Sequence, residues 1–299
     1  MSLSDITFLG VGNMGHALVQ ALLRSGHSVK IWNRTKGRPL VESAIALGAI
    51  FEDSLEQALA TANLIIICVT DYEKINAIVS QAPSGTFKNK TLLNFTNGTP
   101  RQAREMASWA SSQGISMYFD GAIMVTPQMV GGPYSTLVIS GESDEKYDAV
   151  SAVLSPLGKA SYLGTDVAAA ARFDCAALIT MYGMFNGAFL GMALLKQGQR
   201  ENKIGSVVSN AVVPMLNGIT PLLGRIAKAW DEETFGDHKG NPMGMQVEAL
   251  SCIKQACEED GIDFGSMGYF TNLMEQVVKD FGENSDVAAL GTYLLKSAE

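Results

Sequence analysis

The chain has 299 residues, 47% hydrophobic and 17% charged, which is enough for two packed domains and excludes a disordered chain. Thirty acidic against 22 basic residues give a net charge of −8, which excludes a general polyanion-binding surface, so no nucleic-acid partner is expected.

Ile6-Thr7-Phe8-Leu9 reads as a buried strand, and the glycines Gly10, Gly12 and Gly15 open the amphipathic run from Met14 to Leu23. That is the G-x-G-x-x-G spacing between strand and helix that gives the pattern its meaning. Gly10 permits the tight turn, Gly12 lets backbone approach a pyrophosphate, and Gly15 lets helix and strand pack closely. Asn13 and Met14 then lie at the helix N-terminus, where phosphates bind. An ordinary glycine-rich turn is the alternative.

A second strand, Ser28 to Trp32, ends in Asn33, where an NAD site would place Asp or Glu on the ribose. With no carboxylate there, and with Arg34, Lys36 and Arg38 following, the loop Asn33-Arg34-Thr35 favours NADP, because Arg binds phosphate as a planar fork. A solvated basic loop is the other reading.

Next come a helix near 39–47, a short strand near 49–51, and a helix announced by Ser54-Leu55-Glu56-Gln57. The apolar strands Leu64 to Val69 and Thr91 to Phe95 follow, each leading into a helix. Continuous apolar strands between helices imply a parallel sheet covered on both faces. Strands near 116–119, 135–140 and 160–163 extend it. Ligands bind beyond the carboxyl ends of such strands, which points to Thr70-Asp71 and Thr96-Asn97-Gly98. Asn97-Gly98 is equally a plain turn signal.

From Asp166 onward only helices are expected. The first runs without proline from about 166 to 197, too long for one small domain, so it is expected to join domains and span a subunit interface. Gly183, Gly187 and Gly191 give it one face where another backbone can approach. Residues 175–195 carry no charge, enough to raise a membrane span as an alternative to burial in a core or interface. Further helices are expected near 201–229, kinked at Pro214 and Pro221, and near 243–259, 265–281 and 284–297. The fold class is therefore α/β: an N-terminal Rossmann doubly wound sheet, residues 1–163, joined by a long interdomain helix to an all-α C-terminal domain, residues 164–299.

The four cysteines form no C-x-x-C pair, and buried free thiols in a reducing compartment are expected. His16, His27 and His238 are too scattered to suggest a metal. The first strand begins near residue 5, leaving no room for a presequence, so a cytoplasmic protein is expected.

Asp174 stands alone among apolar neighbours, and burying an unpaired charge is expensive. Either it pairs with Arg172 or another basic group, or it faces a cationic or proton-exchanging substrate beside the cofactor. Tyr182, eight positions on, is placed to flank a pocket or to serve as a core aromatic.

The chain resembles the imine reductases, and most of all their fungal reductive aminase branch, itself related to the β-hydroxyacid dehydrogenases. The matching stretches are GVGNMGHAL at 10–18, IWNRT at 31–35, NFTNGTP at 94–100, DGAIMVTPQMVGGP at 120–133, LGTDVAAAARFDCAAL at 163–178, MYGMFNG at 181–187 and NPMGMQ at 241–246. The resemblance implies NADPH-dependent hydride transfer to the C=N carbon of an imine, including one formed on the enzyme from a carbonyl compound and an amine. It assigns the acid/base position to Asp174, with Tyr182 and Asn97 in the pocket network. It also implies a homodimer with interlocked helical domains, in which Met245 and Gln246 of one subunit close the site of the other. Met124, Met181 and Met215 complete the candidate pocket. Met215 stands where fungal reductive aminases often carry Trp, which bears on substrate size. The rival readings are a hydroxyacid or aldehyde reductase, disfavoured because the related hydroxyacid dehydrogenases carry a catalytic Lys near the start of the interdomain helix and no Lys lies between 160 and 195 here, and a non-catalytic NADP-sensing protein.

Overall fold

The computed structural model describes residues 5–198, 204–236 and 240–295. Eight strands form one sheet: β1 (Ile6–Leu9), β2 (Val29–Trp32), β3 (Ile50–Phe51), β4 (Leu64–Ile67), β5 (Thr91–Asn94), β6 (Met117–Ile123), β7 (Thr136–Ser140) and β8 (Lys159–Tyr162). Their order is β3-β2-β1-β4-β5-β6-β7-β8. Helices α1 (Asn13–Arg24), α2 (Pro39–Ala46), α3 (Leu55–Ala60), α4 (Tyr72–Val79), α5 (Pro100–Ser112) and α6 (Asp144–Leu154) alternate with them.

Every residue of β1 and β4 is buried, as expected for strands covered on both faces. One core joins Phe8, Ile31 and Leu137 to Leu18 of α1 and Val150 of α6. The other joins Ile65 and Ile67 to Ile75 of α4 and Met106 of α5. Chain order reverses between β1 and β4, so the crevice at their carboxyl ends is where this sheet type binds ligands.

The parallel sheet does not continue unbroken to the last strand. β7 runs antiparallel to β6, and β8 then runs parallel to β7. Between β6 and β7 there is only the 3-10 turn Pro127–Met129, and without a crossover helix the chain must return antiparallel.

The long helix α7 is continuous over Ala169–Gly198. It starts three residues later than Asp166 because Asp166 accepts from the Ala168 amide (3.1 Å) and forms a turn ahead of the helix. Ser140 on β7 anchors it, donating to the Val167 carbonyl and accepting from the Ala170 amide, both at 3.0 Å. The described residues up to Ile179 form one compact unit and those from Thr180 form another.

In the second unit, α8 (Ile204–Val207) leads through a π-helical turn, Val208–Val212, into α9 (Val213–Ile219) and α10 (Leu222–Asp231). Pro214 lacks an amide proton and its ring would crowd the preceding turn, so the expected kink takes the form of a widened turn just ahead of it. Pro221 separates α9 from α10. Helices α11 (Met243–Glu259) and α12 (Gly265–Phe281) pack around Met243, Met274 and Val277. The helix expected over 284–297 is instead a 3-10 run, Val287–Tyr293, capped by Asp286. Gly291 within it lies so close to the Trp230 ring that a side chain would collide.

Candidate active site

The turn after β1 has the geometry its glycines require. Gly10 has φ +100°, and a Cβ there would strike the Cys68 carbonyl; a Cβ on Gly15 would collide with the Gly10 carbonyl. Gly12 faces open space. Helix α1 has no side-chain cap, so its first amides are available to an anion.

Asn33 braces this turn. Its Oδ1 accepts from the Val11 amide (3.1 Å) and its Nδ2 donates to the Thr35 carbonyl (2.8 Å), tying the glycine turn to the basic loop. An aspartate could make the first bond and not the second.

Gly10, Gly12, Asn13, Met14, Gly15, Asn33, Arg34, Thr35, Arg38 and Thr70 all line one groove of about 390 Å³. Lys36 does not join them. It pairs with Asp53 at 2.8 Å and stacks 5.0 Å over the Phe51 ring, so the basic cluster narrows to Arg34 and Arg38. Sequence reasoning missed the opposite wall, which α4 supplies through Lys74, Ala77 and Ile78, with Gln81 just beyond its end. Its signal was present: α4 leaves the strand next to the point where chain order reverses. Lys74 also pairs with Asp71, whose carboxyl it holds down at about 2.

The second focus joins β5 to α7. Asn97 Nδ2 donates to Asp174 Oδ2 at 3.0 Å, and the Cys175 thiol lies 3.7 Å from the Gly98 carbonyl. The Asn97 loop is fixed from below: the Thr96 amide donates to Asn94 Oδ1 (3.0 Å), and Thr96 Oγ1 accepts from the Val69 amide (3.2 Å). Glycine is required at 98 because the Tyr72 ring fills the space a side chain would need.

Asp174 is 4% exposed, and burial raises its pKa above the ordinary carboxylate value. Arg172 is exposed and forms no ion pair among the described residues, so the structural explanation for Asp174 fails on its nearest candidate. A desolvated carboxylate held by one neutral amide favours a cation or a proton at its free edge.

Met124 packs with Ala122, Val138 and Ala170. The other candidate pocket residues belong to the second unit. There Met181 and Gln246 are half-buried, while Tyr182, Met215 and Met245 are exposed. Tyr182 makes an edge contact with Phe185, and Gln246 donates to the Asn241 carbonyl at 2.9 Å.

The thiols are free, but only Cys68 and Cys257 are buried: Cys175 is half-buried and Cys252 is exposed on α11. Burial pushes Cys68 up to about 12, which leaves it inert at neutral pH. His16 bonds Ser43 at 3.0 Å, and His238 lies outside the described residues.

Two family models match the chain. Residues 5–168 match the NAD binding domain of 6-phosphogluconate dehydrogenase, and residues 166–294 match the NADPH-dependent reductive aminase-like C-terminal domain. An NADPH-dependent reductive aminase of Aspergillus oryzae is 35% identical over 96% of both chains. A reductive aminase of Aspergillus terreus, solved with NADPH, cyclohexanone and allyl amine, superposes with TM-score 0.89 at 32% identity, covering 98% of this chain and 100% of that one. An imine reductase of Myxococcus stipitatus, solved with NADP+, gives TM-score 0.87 at 28% identity over 97% of this chain and 100% of that one.

Proposed function

The chain belongs to the family of NADPH-dependent reductive aminases and imine reductases, and on that footing we propose that it reduces C=N bonds with NADPH. The observation that carries the reading is Asp174: buried, bonded to Asn97, and without a cationic partner among the described residues. NADPH, when bound, supplies the hydride delivered to the C=N carbon. The residues present suit it, with Gly12 open beside the uncapped start of α1 and Arg34 and Arg38 in place for a 2′-phosphate.

Asp174 favours the protonated iminium, a better hydride acceptor than the neutral imine, through charge and proton exchange. Asn97 fixes the orientation of its carboxylate. The same carboxylate can take a proton from an ammonium when carbonyl compound and amine condense, and Tyr182 is assigned to the pocket network. Met215 offers an adaptable wall where fungal relatives often carry Trp.

The active form we propose is a homodimer with interlocked helical domains, in which Met245 and Gln246 of one subunit close the site of the other. Its support is the uncovered apolar surface of the second unit: Phe189 is 68% exposed and Tyr269 67%, and among the described residues nothing lies where a side chain at Gly183, Gly187 or Gly191 would begin. Segments Ala169–Gln197 and Ile204–Asp231 are apolar enough to cross a bilayer by length and composition. A partner's helices offer them burial without one, and a stable monomer in sedimentation at micromolar concentration would overturn the dimer. Free thiols support a cytoplasmic setting.

A hydroxyacid reductase is disfavoured by the absence of Lys from 160–195. The test is NADPH absorbance with a panel of cyclic imines, ketone and amine mixtures, and hydroxyacids with NADP+. Turnover of imines is expected; turnover of hydroxyacids alone would replace the reading.

A further inference from the structure

A second carboxyl, Asp120 on β6, is 2% exposed and does not line the cofactor groove. Three donors converge on its Oδ1: the Tyr72 hydroxyl at 3.1 Å, the Asn94 amide at 3.0 Å and the Tyr118 hydroxyl at 3.3 Å. Among the described residues, its Oδ2 has no hydrogen-bond partner. A buried carboxylate with one oxygen saturated and the other bare is a costly arrangement, whereas a proton on the bare oxygen makes the group neutral.

This cluster adjoins the catalytic pair on both sides. Asn94, which bonds Asp120, accepts from the Thr96 amide in the loop that presents Asn97, and the Tyr72 ring fills the space beside Gly98. Ser140, opposite Asp120 in the sheet, anchors the start of α7, which carries Asp174. The titratable groups facing Asp120 are Tyr72 from α4, Tyr118 from its own strand and Asp174 from α7; β5 and β7 present Asn94 and Ser140, which do not titrate. No basic side chain among the described residues offsets its charge.

We propose that Asp120 is a positioning residue that keeps a proton while Asp174 is ionised and releases it as the medium turns alkaline, taking the pocket from one negative charge to two. Burial moves Asp120 up to about 7, and the charge on Asp174 adds to that rise while the three hydrogen bonds oppose it. The two carboxyls titrate as a coupled pair, with Asp120 providing the upper step. Tyr72 and Tyr118, both pushed above the usual phenol value, stay protonated donors throughout. The proposal rests on the reading of Asp174 as the group facing the substrate cation.

A permanently charged N-methyl cyclic iminium tests it, because that substrate does not itself titrate. In wild type its KM should fall roughly 3- to 10-fold between about pH 6 and pH 8, the order of effect of one more nearby charge in a partly screened pocket. In Asp120→Asn, KM should stay flat, and in Tyr72→Phe, which loses a donor to the ionised carboxylate, the fall should move to higher pH. A flat KM in wild type, or an undiminished fall in Asp120→Asn, overturns the proposal. Should Asp120→Asn fail to fold, difference infrared spectroscopy of resting wild-type enzyme decides: the C=O stretch of a buried carboxylic acid should vanish over the same pH range. Its absence with imine turnover intact would sink the role of Asp120 alone, whereas its presence without any imine turnover would sink the reading of Asp174.

Discussion

Asn97 reaches Asp174 across 77 positions of sequence with a single 3.0 Å hydrogen bond, donated from a sheet loop to a helix carboxylate. The bond stabilises the ionised carboxylate, so removing it raises the proton affinity of Asp174. Asn97→Ala should move the acid limb of the pH–kcat profile to higher pH, in addition to any loss of rate. An unmoved limb would make Asn97 a turn residue with no electrostatic effect on Asp174.

Arg34→Ala should weaken NADPH far more than NADH, since Arg34 lines the groove beside the loop that replaces the NAD-type acid. The difference should shrink in high salt as phosphate contacts are screened. Equal weakening of both cofactors, measured by titration, would place Arg34 away from the 2′-phosphate.

Asn33→Asp should reverse the preference from the other side. It adds a negative charge near the phosphate and loses the bond to the Thr35 carbonyl, while the Val11 amide keeps its acceptor. NADPH affinity should drop by roughly 10-fold or more and NADH affinity should hold or improve, as a carboxylate repels the 2′-phosphate and competes for the arginines that would hold it. Unchanged NADPH affinity would mean that Asn33 acts on loop shape only.

Stability should fall as pH rises from about 4 to about 7 through Asp120. Its folded value of about 7 lies above the ordinary carboxylate value of 3.8, so over that window the unfolded chain has released the proton and the folded chain has not. The loss is at most about 4 kcal/mol, given about 1.4 kcal/mol per pKa unit. Asp71, held at about 2, acts oppositely, with stability present above its unfolded value and lost as pH falls toward 2. Urea melts of Asp120→Asn should show a flatter slope between pH 4 and 7 than wild type; an identical slope would contradict the assignment.

What the sequence disclosed followed from local patterns with local causes. β1 was legible as a short, largely apolar run before a glycine turn, and α11 and α12 as helical segments bounded by Pro242 and by Gly265 and Gly282. The cofactor groove was legible because each residue on its near side follows β1, β2 or β4 directly. Lys36 was misplaced because its partners, Asp53 and Phe51, are distant in sequence. The antiparallel β7 was missed because strand direction depends on the link, and the 3-10 run at Val287–Tyr293 because helical periodicity does not distinguish tight turns from α turns. Asp120 drew no notice, since an acid inside an apolar strand shows its burial only when its neighbours fold around it.

The most direct test of the account is turnover of a preformed cyclic imine by Asp174→Asn, measured alongside NADPH binding to the same protein. Asn keeps shape and hydrogen bonding but can neither stabilise an iminium nor exchange a proton. The account predicts NADPH affinity nearly unchanged and kcat lower by roughly 100-fold or more, the usual scale for a general acid–base group. A folded variant that binds NADPH and reduces the imine at close to the wild-type rate would make Asp174 a structural residue and contradict the mechanism.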